Sequence, residues 1–302
     1  MRAPTCSAFA LTSTLALLFS LAVPASAQTP PTLDKAKASG TLTVAYRESS
    51  IPFSYLGGDA QPTGFGWEIC QRIVNEVKKS TGRADLKVAT QSVTSQNRIP
   101  LLVNGTIDIE CGSTTNNSDR AKQVAFAINY FYTGTRLLVK SDSPIKAMAD
   151  LKGKKVVSTA GTTNYQVMRK LNADRNLGFD LLAAKDHAES ALLVQSSRAD
   201  AFGMDDILLY GLRASAQNPA EFAVVGEAIQ VEPYAIMLRK DDPAFKKLVD
   251  DTLVALIKSG EFETLYKKWF QSPIPPKNIN LGAPMSQELR DNLKALSDKP
   301  AL

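Results

Sequence analysis

The chain has 302 residues, of which 44% are hydrophobic and 22% charged, and its formal net charge is +5. This length exceeds the roughly 100 to 200 residues of a typical domain, so two packed units are expected. Acidic and basic residues are interleaved without a cluster of lysine, arginine and aromatic residues, which argues against a nucleic-acid-binding protein. The single histidine leaves no metal-ligand cluster of the usual spacing, and no metal or other cofactor is expected.

Residues 1–27 have the features of a secretory signal peptide. Arg2 precedes an apolar run over residues 9–23, and Ala25-Ser26-Ala27 form an A-x-A cleavage site. The run is shorter than the ~20 residues of a transmembrane helix. We therefore expect an exported protein whose mature chain begins at Gln28.

Two cysteines remain after this cleavage, Cys70 and Cys111. An oxidising compartment outside the cytoplasm would allow them to pair. A disulfide closing about 40 residues would add roughly 4 kcal/mol of stability in the chain-entropy model. Because sequence separation does not determine how closely two Cα atoms approach, two buried free thiols are an equal alternative.

The first predicted elements alternate between helix and strand. A short helix over residues 33–40 precedes a strand over 42–45, and Arg47 follows the carboxyl end of that strand. Residues 64–66 open an amphipathic helix with apolar residues at helical spacing. Residues 86–93 form the next strand. This alternation predicts an α/β lobe.

The strongest concentration of candidate ligand groups surrounds a short predicted helix. Proline is tolerated in the first turn of a helix, so Pro100 places Ser95 and Arg98 at the helix start. A short strand over residues 107–109 follows and ends in a run of hydroxyl and amide side chains. Open α/β sheets bind ligands at the carboxyl ends of their strands. The residues expected to converge on one small anion are Arg98, Ser113 and Thr115.

A second lobe is predicted to begin where the chain crosses near residues 135–140. A strand over residues 156–158 runs into hydroxyl residues that cap the next helix. The backbone N–H groups at that helix start form an anion site. The helix and strand that follow are predicted over residues 188–195 and 199–204.

The second lobe repeats the order of the first when one insertion at Ser197 is allowed. Ser113 then corresponds to Asp205, and His187 lies close to the position of Ser95. Both lobes are therefore predicted to be variations on one βαβ design. His187 and Asp205 occupy the positions where the first lobe has its predicted anion ligands.

The end of the chain is predicted to return to the first lobe. Residues 231–239 form a strand long enough to cross back, and Gly260 breaks the long helix that follows. Two crossings imply two connecting strands and hence a hinge. The last segment is expected to be one surface helix with a loose end. The predicted boundaries are 1–27 for the signal peptide, 28–137 for the first part of lobe 1, 138–235 for lobe 2, 236–281 for the return segment and 282–302 for the C-terminal helix and tail.

Several segments carry a family resemblance: YRESSIPFSY, TSQNRIPLLVNGTIDIECGSTTNN, AGTT, AKDH, MDD, LRKDDPAFKKL and KWFQSPIPPKN. Together they resemble the periplasmic glutamate/aspartate-binding proteins of polar amino acid ABC importers, within solute-binding protein family 3. The resemblance covers nearly all of residues 33–280. It implies a type II periplasmic binding fold with two α/β lobes, each an open mostly parallel sheet flanked by helices, joined by two hinge strands.

The resemblance also implies a function and its partners. A periplasmic monomer would capture L-glutamate or L-aspartate between its lobes, without a cofactor, and deliver it to an ABC permease of the inner membrane. The ligand contacts that the resemblance implies are Arg47, Ser95, Arg98, Ser113, Thr115, Thr163, His187 and Asp205.

The charges of these residues complement such a ligand. A dicarboxylic amino acid has two carboxylates and one ammonium, and two arginines and one aspartate would pair with them. We expect the α-carboxylate at Arg98, Ser113 and Thr115. We expect the side-chain carboxylate at Arg47, Ser95 and His187, and the ammonium at Asp205.

Two other functions fit the same fold. The first is a periplasmic dehydratase-like enzyme, for which Ser113, His187 and Asp205 could form a Ser/His/Asp triad on paper. Asp205 would then be unavailable to an ammonium, and the nucleophile motif G-x-S-x-G is absent. The second is an amino-acid-sensing or signalling domain, which the sequence alone does not separate from a transport protein. Solvated arginines and turn-forming hydroxyl residues are the structural alternative for the same positions.

Overall fold

We describe the protein with a computed structural model that covers Met1 and residues 30–301. Apart from Met1, the signal peptide predicted over residues 1–27 lies outside these described residues. Within them, no helix combines the length and apolar character needed to span a membrane.

The chain up to residue 126 builds most of a first lobe. Its helices are α1 (Thr32–Ser39), α2 (Phe65–Thr81), α3 (Arg98–Val103) and α4 (Ser118–Ala121). Its strands are β1 (Thr41–Tyr46), β2 (Ser49–Ser50), β3 (Ser54–Leu56), β4 (Pro62–Thr63), β5 (Lys87–Ser92), β6 (Ile109–Glu110) and β7 (Val124–Phe126). The apolar face predicted for α2 is buried, with Ile69, Ile73 and Val77 fully covered. This burial fixes the helix against the core of the lobe.

The middle of the chain builds a second lobe. Its strands are β8 (Phe131–Lys140), β9 (Lys155–Thr159), β10 (Asp180–Ala184), β11 (Ala201–Asp205) and β12 (Phe222–Tyr234). Its helices are α5 (Thr163–Asp174), α6 (His187–Gln195) and α7 (Asp206–Ser215), with 3₁₀ turns over Met148–Leu151 and Pro219–Glu221. The strand β10, the helix α7 and the small sheet β2-β3-β4 had no counterpart among the predicted elements.

The remaining chain returns to the first lobe. It contains β13 (Met237–Arg239), α8 (Pro243–Ser259), α9 (Glu261–Phe270), β14 (Pro273–Ile274), β15 (Ile279–Asn280) and α10 (Gln287–Ala295). Gly260 separates α8 from α9 with a left-handed φ of 78°, as its position in the sequence predicts.

The two main sheets have the same strand arrangement. Their orders are β5-β1-β6-β13-β7 and β10-β9-β11-β8-β12. In each, the first three strands are parallel, and the fourth strand, β13 or β8, pairs antiparallel with both of its neighbours. Four of the five strands in each sheet therefore run in one direction, as expected for a mostly parallel sheet, and only β13 or β8 runs against them. The common order matches the βαβ design expected for both lobes.

The connection between the lobes runs through β8 and β12, which pair antiparallel from Phe222 opposite Lys140 to Tyr234 opposite Phe131. The boundary predicted after residue 137 falls within β8, since all of that strand pairs in the second sheet. The single return strand predicted over 231–239 is instead the end of β12 followed by β13, with two residues between them.

A cluster of aromatic rings fixes the first-lobe end of both connecting strands. The Phe53 ring centroid lies 4.8 Å from that of Phe131, 5.1 Å from that of Tyr234 and 5.5 Å from that of Phe270. Edge-to-face contacts at such distances add about 0.5 to 1.5 kcal/mol per pair beyond area burial. Phe131 begins β8 and Tyr234 ends β12, so both connections start from a packed core.

The C-terminal segment is attached rather than loose, which corrects the sequence expectation. The backbone oxygens of Ser297, Asp298 and Lys299 accept hydrogen bonds from Asn116 or Asn129 at 2.8 to 3.0 Å. We call residues 286–301 the C-terminal strap. It holds Asn116, which lies within the polar run after β6, and Asn129, which follows that run.

Cys70 in α2 and Cys111 after β6 form a disulfide, with Cα atoms 5.9 Å apart and a sequence separation of 41. This Cα separation is usual for disulfides. The bond ties α2 to the start of the polar run that contains Ser113.

Candidate functional site

The side chains singled out in the sequence meet between the two lobes. Seven of them are buried and Thr163 is half-buried. We call this set the inter-lobe cluster: Arg47, Ser95, Arg98, Ser113, Thr115, Thr163, His187 and Asp205. Most of them stand just after a strand or at the start of a helix, where parallel strands of both sheets end.

Several contacts at the cluster join the lobes directly. Nη2 of Arg47 lies 3.3 Å from Nε2 of His187, and the Oγ1 atoms of Thr115 and Thr163 are 3.2 Å apart. Nη2 of Arg120 donates to the backbone oxygen of Gly161 at 3.1 Å. The lobes are thus closed on each other at the cluster.

Arg98 is the most available cation in the cluster. Its side chain is 2% exposed, yet its Nε and Nη1 have no hydrogen-bond partner among the described residues, and the same holds for Oγ of Ser95. Burial lowers the pKa of Arg98, and the nearby carboxylate of Glu110 partly opposes this shift. Buried donors of this kind favour a bound anion, because an unpaired buried polar group costs about 1 to 3 kcal/mol.

Arg47 is held more tightly by its surroundings. Burial, followed by repulsion from Arg98, lowers its pKa to about 10, which leaves the guanidinium charged at neutral pH. One of its nitrogens, Nη1, is buried without a partner among the described residues. The other terminal nitrogen contacts His187, so Arg47 presents fewer unpaired donors than Arg98.

The hydrogen bonds of His187 define its protonation. An arginine can only donate, so Nε2 of His187 accepts from Arg47, and the ring proton lies on Nδ1, 2.9 Å from Oγ1 of Thr159. Burial and then Arg47 and Arg98 hold the pKa of His187 well below 6.5. In this arrangement the neutral ring positions Arg47.

Ser113 and Asp205 each have protein partners. Oγ of Ser113 donates to Oγ of Ser50 at 3.2 Å. Asp205 accepts from Nδ2 of Asn164 at 2.8 Å and from the hydroxyl of Tyr234. Burial, followed by repulsion from Glu232, raises the pKa of Asp205 well above 3.8. A cation beside this carboxylate would oppose that shift.

Glu232 connects the hydroxyl groups of both lobes. Its Oε2 accepts from Oγ1 of Thr115 at 2.6 Å and from Oγ1 of Thr163 at 2.5 Å. The hydroxyl of Thr115, expected at a ligand carboxylate, therefore has its proton directed to a protein carboxylate in this arrangement.

Sequence reasoning missed several residues of this site. The strand-end rule applies to Glu110, which follows Ile109 directly, and to Thr159, which follows the strand predicted over residues 156–158. It gives no signal for Arg120, Glu232 or Tyr234. The missed residues that contact the inter-lobe cluster or lie beside it are Ser50, Glu110, Arg120, Thr159, Asn164, Glu232 and Tyr234. The buried charges are consequently three arginines and three acids rather than the two and one expected.

The contacts exclude the Ser/His/Asp triad considered from the sequence. His187 bonds to Arg47 and Thr159, whereas Ser113 bonds to Ser50 and Asp205 to Asn164 and Tyr234. In the part of the chain that the structure describes, no group of three or more His, Cys, Asp or Glu side chains could hold a metal ion.

Two α/β lobes, joined by paired connecting strands and closed on a buried charged cluster, define a two-lobed solute-binding protein with the type II periplasmic binding fold. The chain belongs to the bacterial extracellular solute-binding proteins, family 3, whose family model matches residues 42–272.

Relatives and solved structures agree with this assignment. The chain is 49% identical over 271 residues to the L-glutamate/L-aspartate-binding protein of Pseudomonas aeruginosa, covering 89% of this chain and 90% of that protein. It is 49% identical over 269 residues to the glutamate/aspartate import solute-binding protein of Escherichia coli, covering 89% and 88%. A crystallised variant of ArgBP from T. maritima superposes with a TM-score of 0.71 at 26% identity, over 79% of this chain and 98% of that one. The names of all three describe binding proteins.

Proposed function

We propose that the protein binds L-glutamate or L-aspartate between its lobes in the periplasm and delivers it to an ABC permease of the inner membrane. The observation that carries this proposal is the meeting of two buried guanidinium groups with a buried carboxylate. Arg47 and Arg98 retain buried donor atoms without partners among the described residues, and Asp205 belongs to the same cluster. The names of the bacterial relatives support the same ligands and an import role.

The ligand's groups can be assigned to the cluster by charge. Arg98 and Ser113 suit the α-carboxylate, because a guanidinium with two free donors can bind a carboxylate bidentately. Arg47, positioned by His187, suits the side-chain carboxylate together with Ser95. Asp205 suits the ammonium. The proposal takes the protein to act as a monomer.

Calorimetric titration of the protein beginning at Gln28 with the common amino acids tests the proposal. Glutamate and aspartate should bind, and glutamine and asparagine should bind roughly 30-fold or more weakly, because leaving one buried charge unpaired costs about 2 to 5 kcal/mol. A response to basic or apolar amino acids without one to glutamate or aspartate would overturn it. Conversion of glutamate during incubation would identify an enzyme instead.

A further inference from the structure

A buried acid outside the predicted site links both lobes to the cluster. Glu232 is 1% exposed and lies near the end of β12, opposite Thr133 of β8. It therefore belongs to one of the two connecting strands. Besides the two threonine hydroxyls, its second oxygen, Oε1, accepts from Nε2 of Gln230 at 2.5 Å.

The hydrogen-bond inventory at Glu232 is restrictive. A carboxylate only accepts, and a threonine hydroxyl has a single proton to donate. Thr115 and Thr163 both direct that proton to Oε2 of Glu232. Their Oγ1 atoms lie 3.2 Å apart. Since both protons are engaged, the two oxygens can only accept hydrogen bonds from a third group. Acceptors suit an ammonium, which carries three donors, and do not suit a carboxylate.

We propose that Glu232 is a positioning residue for the ligand's ammonium group, and this inference rests on the proposed function. By accepting the hydroxyl protons of Thr115 and Thr163, it presents one acceptor from each lobe beside Asp205. The hydroxyl of Thr115 is thereby reassigned from the α-carboxylate to the ammonium. Because Thr115 belongs to the first lobe and Thr163 to the second, both acceptors come together only when the lobes close.

The test compares Glu232→Gln with the unmodified protein, using glutamate and glutarate as ligands. Glutarate has both carboxylates of glutamate but no amine. In the variant, the donor of Gln230 favours the amide oxygen at the Oε1 position. The amide NH2 then faces both hydroxyls and donates to their oxygens, which takes up acceptors that the ammonium would use. Glutamate binding should weaken roughly 10- to 100-fold, the usual range for a hydrogen bond to a charged group. Glutarate binding should stay within about twofold, measured by competition or by ligand-induced shift of the melting temperature.

Glu227→Gln is the matched control, because Glu227 lies on the same strand, carries the same charge and is exposed. It should leave glutamate binding unchanged. A second measurement is a double-mutant cycle of Glu232→Gln with Thr163→Val, read as glutamate affinity. If Glu232 acts through this hydroxyl, the two losses should fall short of additive.

The outcomes separate the two proposals. Equal losses for glutamate and glutarate, additive losses in the cycle, or no loss at all would overturn the role of Glu232 while leaving the proposed function intact. Absence of glutamate and aspartate binding by the unmodified protein would overturn both.

Discussion

Arg47 and Arg98 have almost equal burial, so their neighbours determine what each can do. Nε and Nη1 of Arg98 are unpaired among the described residues, while Nη2 of Arg47 is engaged by His187. A guanidinium with two free donors, as in Arg98, can bind the α-carboxylate, which all amino acids share. A guanidinium whose orientation is set by a neighbour, as in Arg47, is better suited to the side-chain carboxylate, which only acidic amino acids have.

Arg98→Ala should therefore abolish binding of every amino acid, whereas Arg47→Ala should mainly remove the preference for glutamate over glutamine. The expected loss of preference is roughly 30-fold or more, since about 2 to 5 kcal/mol is at stake for one unpaired buried charge. Calorimetry with both ligands measures it. Arg169→Ala, at an exposed position of α5, controls for loss of positive charge. Equal effects of the two cluster substitutions on both ligands would contradict the division of roles.

His187 makes the stability of the protein dependent on pH in one direction. Its pKa is held well below 6.5 in the folded state, so below about pH 6.5 the unfolded chain binds a proton that the folded protein does not. The free energy of unfolding should fall as the pH drops from 7.5 to 5.5, by up to about 1.4 kcal/mol per pH unit below pH 6.5. Urea unfolding without added amino acid measures this.

His187→Gln should remove that contribution. The chain has one histidine, so no other imidazole can replace it, and comparison with the variant cancels the titration of the acidic residues. The same difference in stability between the two pH values in both proteins would show that His187 is not held neutral by the fold.

At the residue level, the sequence revealed those ligand candidates that follow strands or begin helices. Ser95, Arg98 and Ser113 were chosen by that rule, and all three are buried in the structure. Glu232 could not be found, because its local pattern resembles that of Glu227, an exposed acid of the same strand. Only the pairing of β12 with β8 places one of the two acids between the lobes.

Among the elements, the C-terminal strap has the clearest link to the site. Nδ2 of Asn292 in α10 donates to the backbone oxygens of Asn129 and Ser297 at 2.7 and 3.1 Å. Nδ2 of Asn116, the residue after Thr115, donates to the backbone oxygen of Asp298 at 2.8 Å. The strap thus supports the segment that carries Thr115, although it lies beyond the residues matched by the family model.

Asn292→Ala should lower the free energy of unfolding by about 1 to 3 kcal/mol, because it leaves buried acceptors unpaired. Glutamate binding should also weaken, since the segment holding Thr115 loses part of its support. Urea unfolding and calorimetry measure the two effects. Lys294→Ala, at an exposed position of the same helix, should change neither. If the stability of the Asn292 variant were unchanged, the C-terminal segment would be a loose end, as expected from the sequence.

Strong hydrophobic periodicity and clear helix-ending residues made most elements predictable. The amphipathic pattern of α2 and the break at Gly260 are examples. The helix α7 was missed because Asp205 was assigned to the ligand and the apolar residues after it were not followed. The return strand was placed too long, because Ala235 and Ile236 are as apolar as their neighbours, and only the change of sheet separates β12 from β13.

For the whole molecule, ligand binding requires that both lobes contribute at once. The shared strand order brings the carboxyl ends of β1 and β9 to the same inter-lobe region, and the aromatic cluster fixes the connecting strands at the first lobe. Closure is then limited by how closely the loop after β9 approaches the start of α3. Arg120 marks this approach, since burial, followed by repulsion from Arg98, lowers its pKa to about 9 while it bonds to the oxygen of Gly161.

Gly161 is the residue at which closure can be blocked selectively. A Cβ there would lie 2.5 Å from the Cα of Gln96 and 2.8 Å from the carbonyl carbon of Ser95, both in the opposite lobe. Gly161→Ala should therefore weaken glutamate binding roughly tenfold or more, since overpacking usually costs about 1 to 3 kcal/mol. Gly153→Ala is the matched control: its φ of +70° is close to the +77° of Gly161, but no atom lies within 4 Å of the added Cβ. Both variants bear the backbone penalty of a left-handed alanine, about 1 to 2 kcal/mol, so their melting temperatures without ligand should be similar.

Small-angle scattering should show that glutamate makes the Gly153→Ala variant more compact and leaves the Gly161→Ala variant extended. Equal affinity and equal compaction of the two would mean that the lobes do not need this approach to hold their ligand.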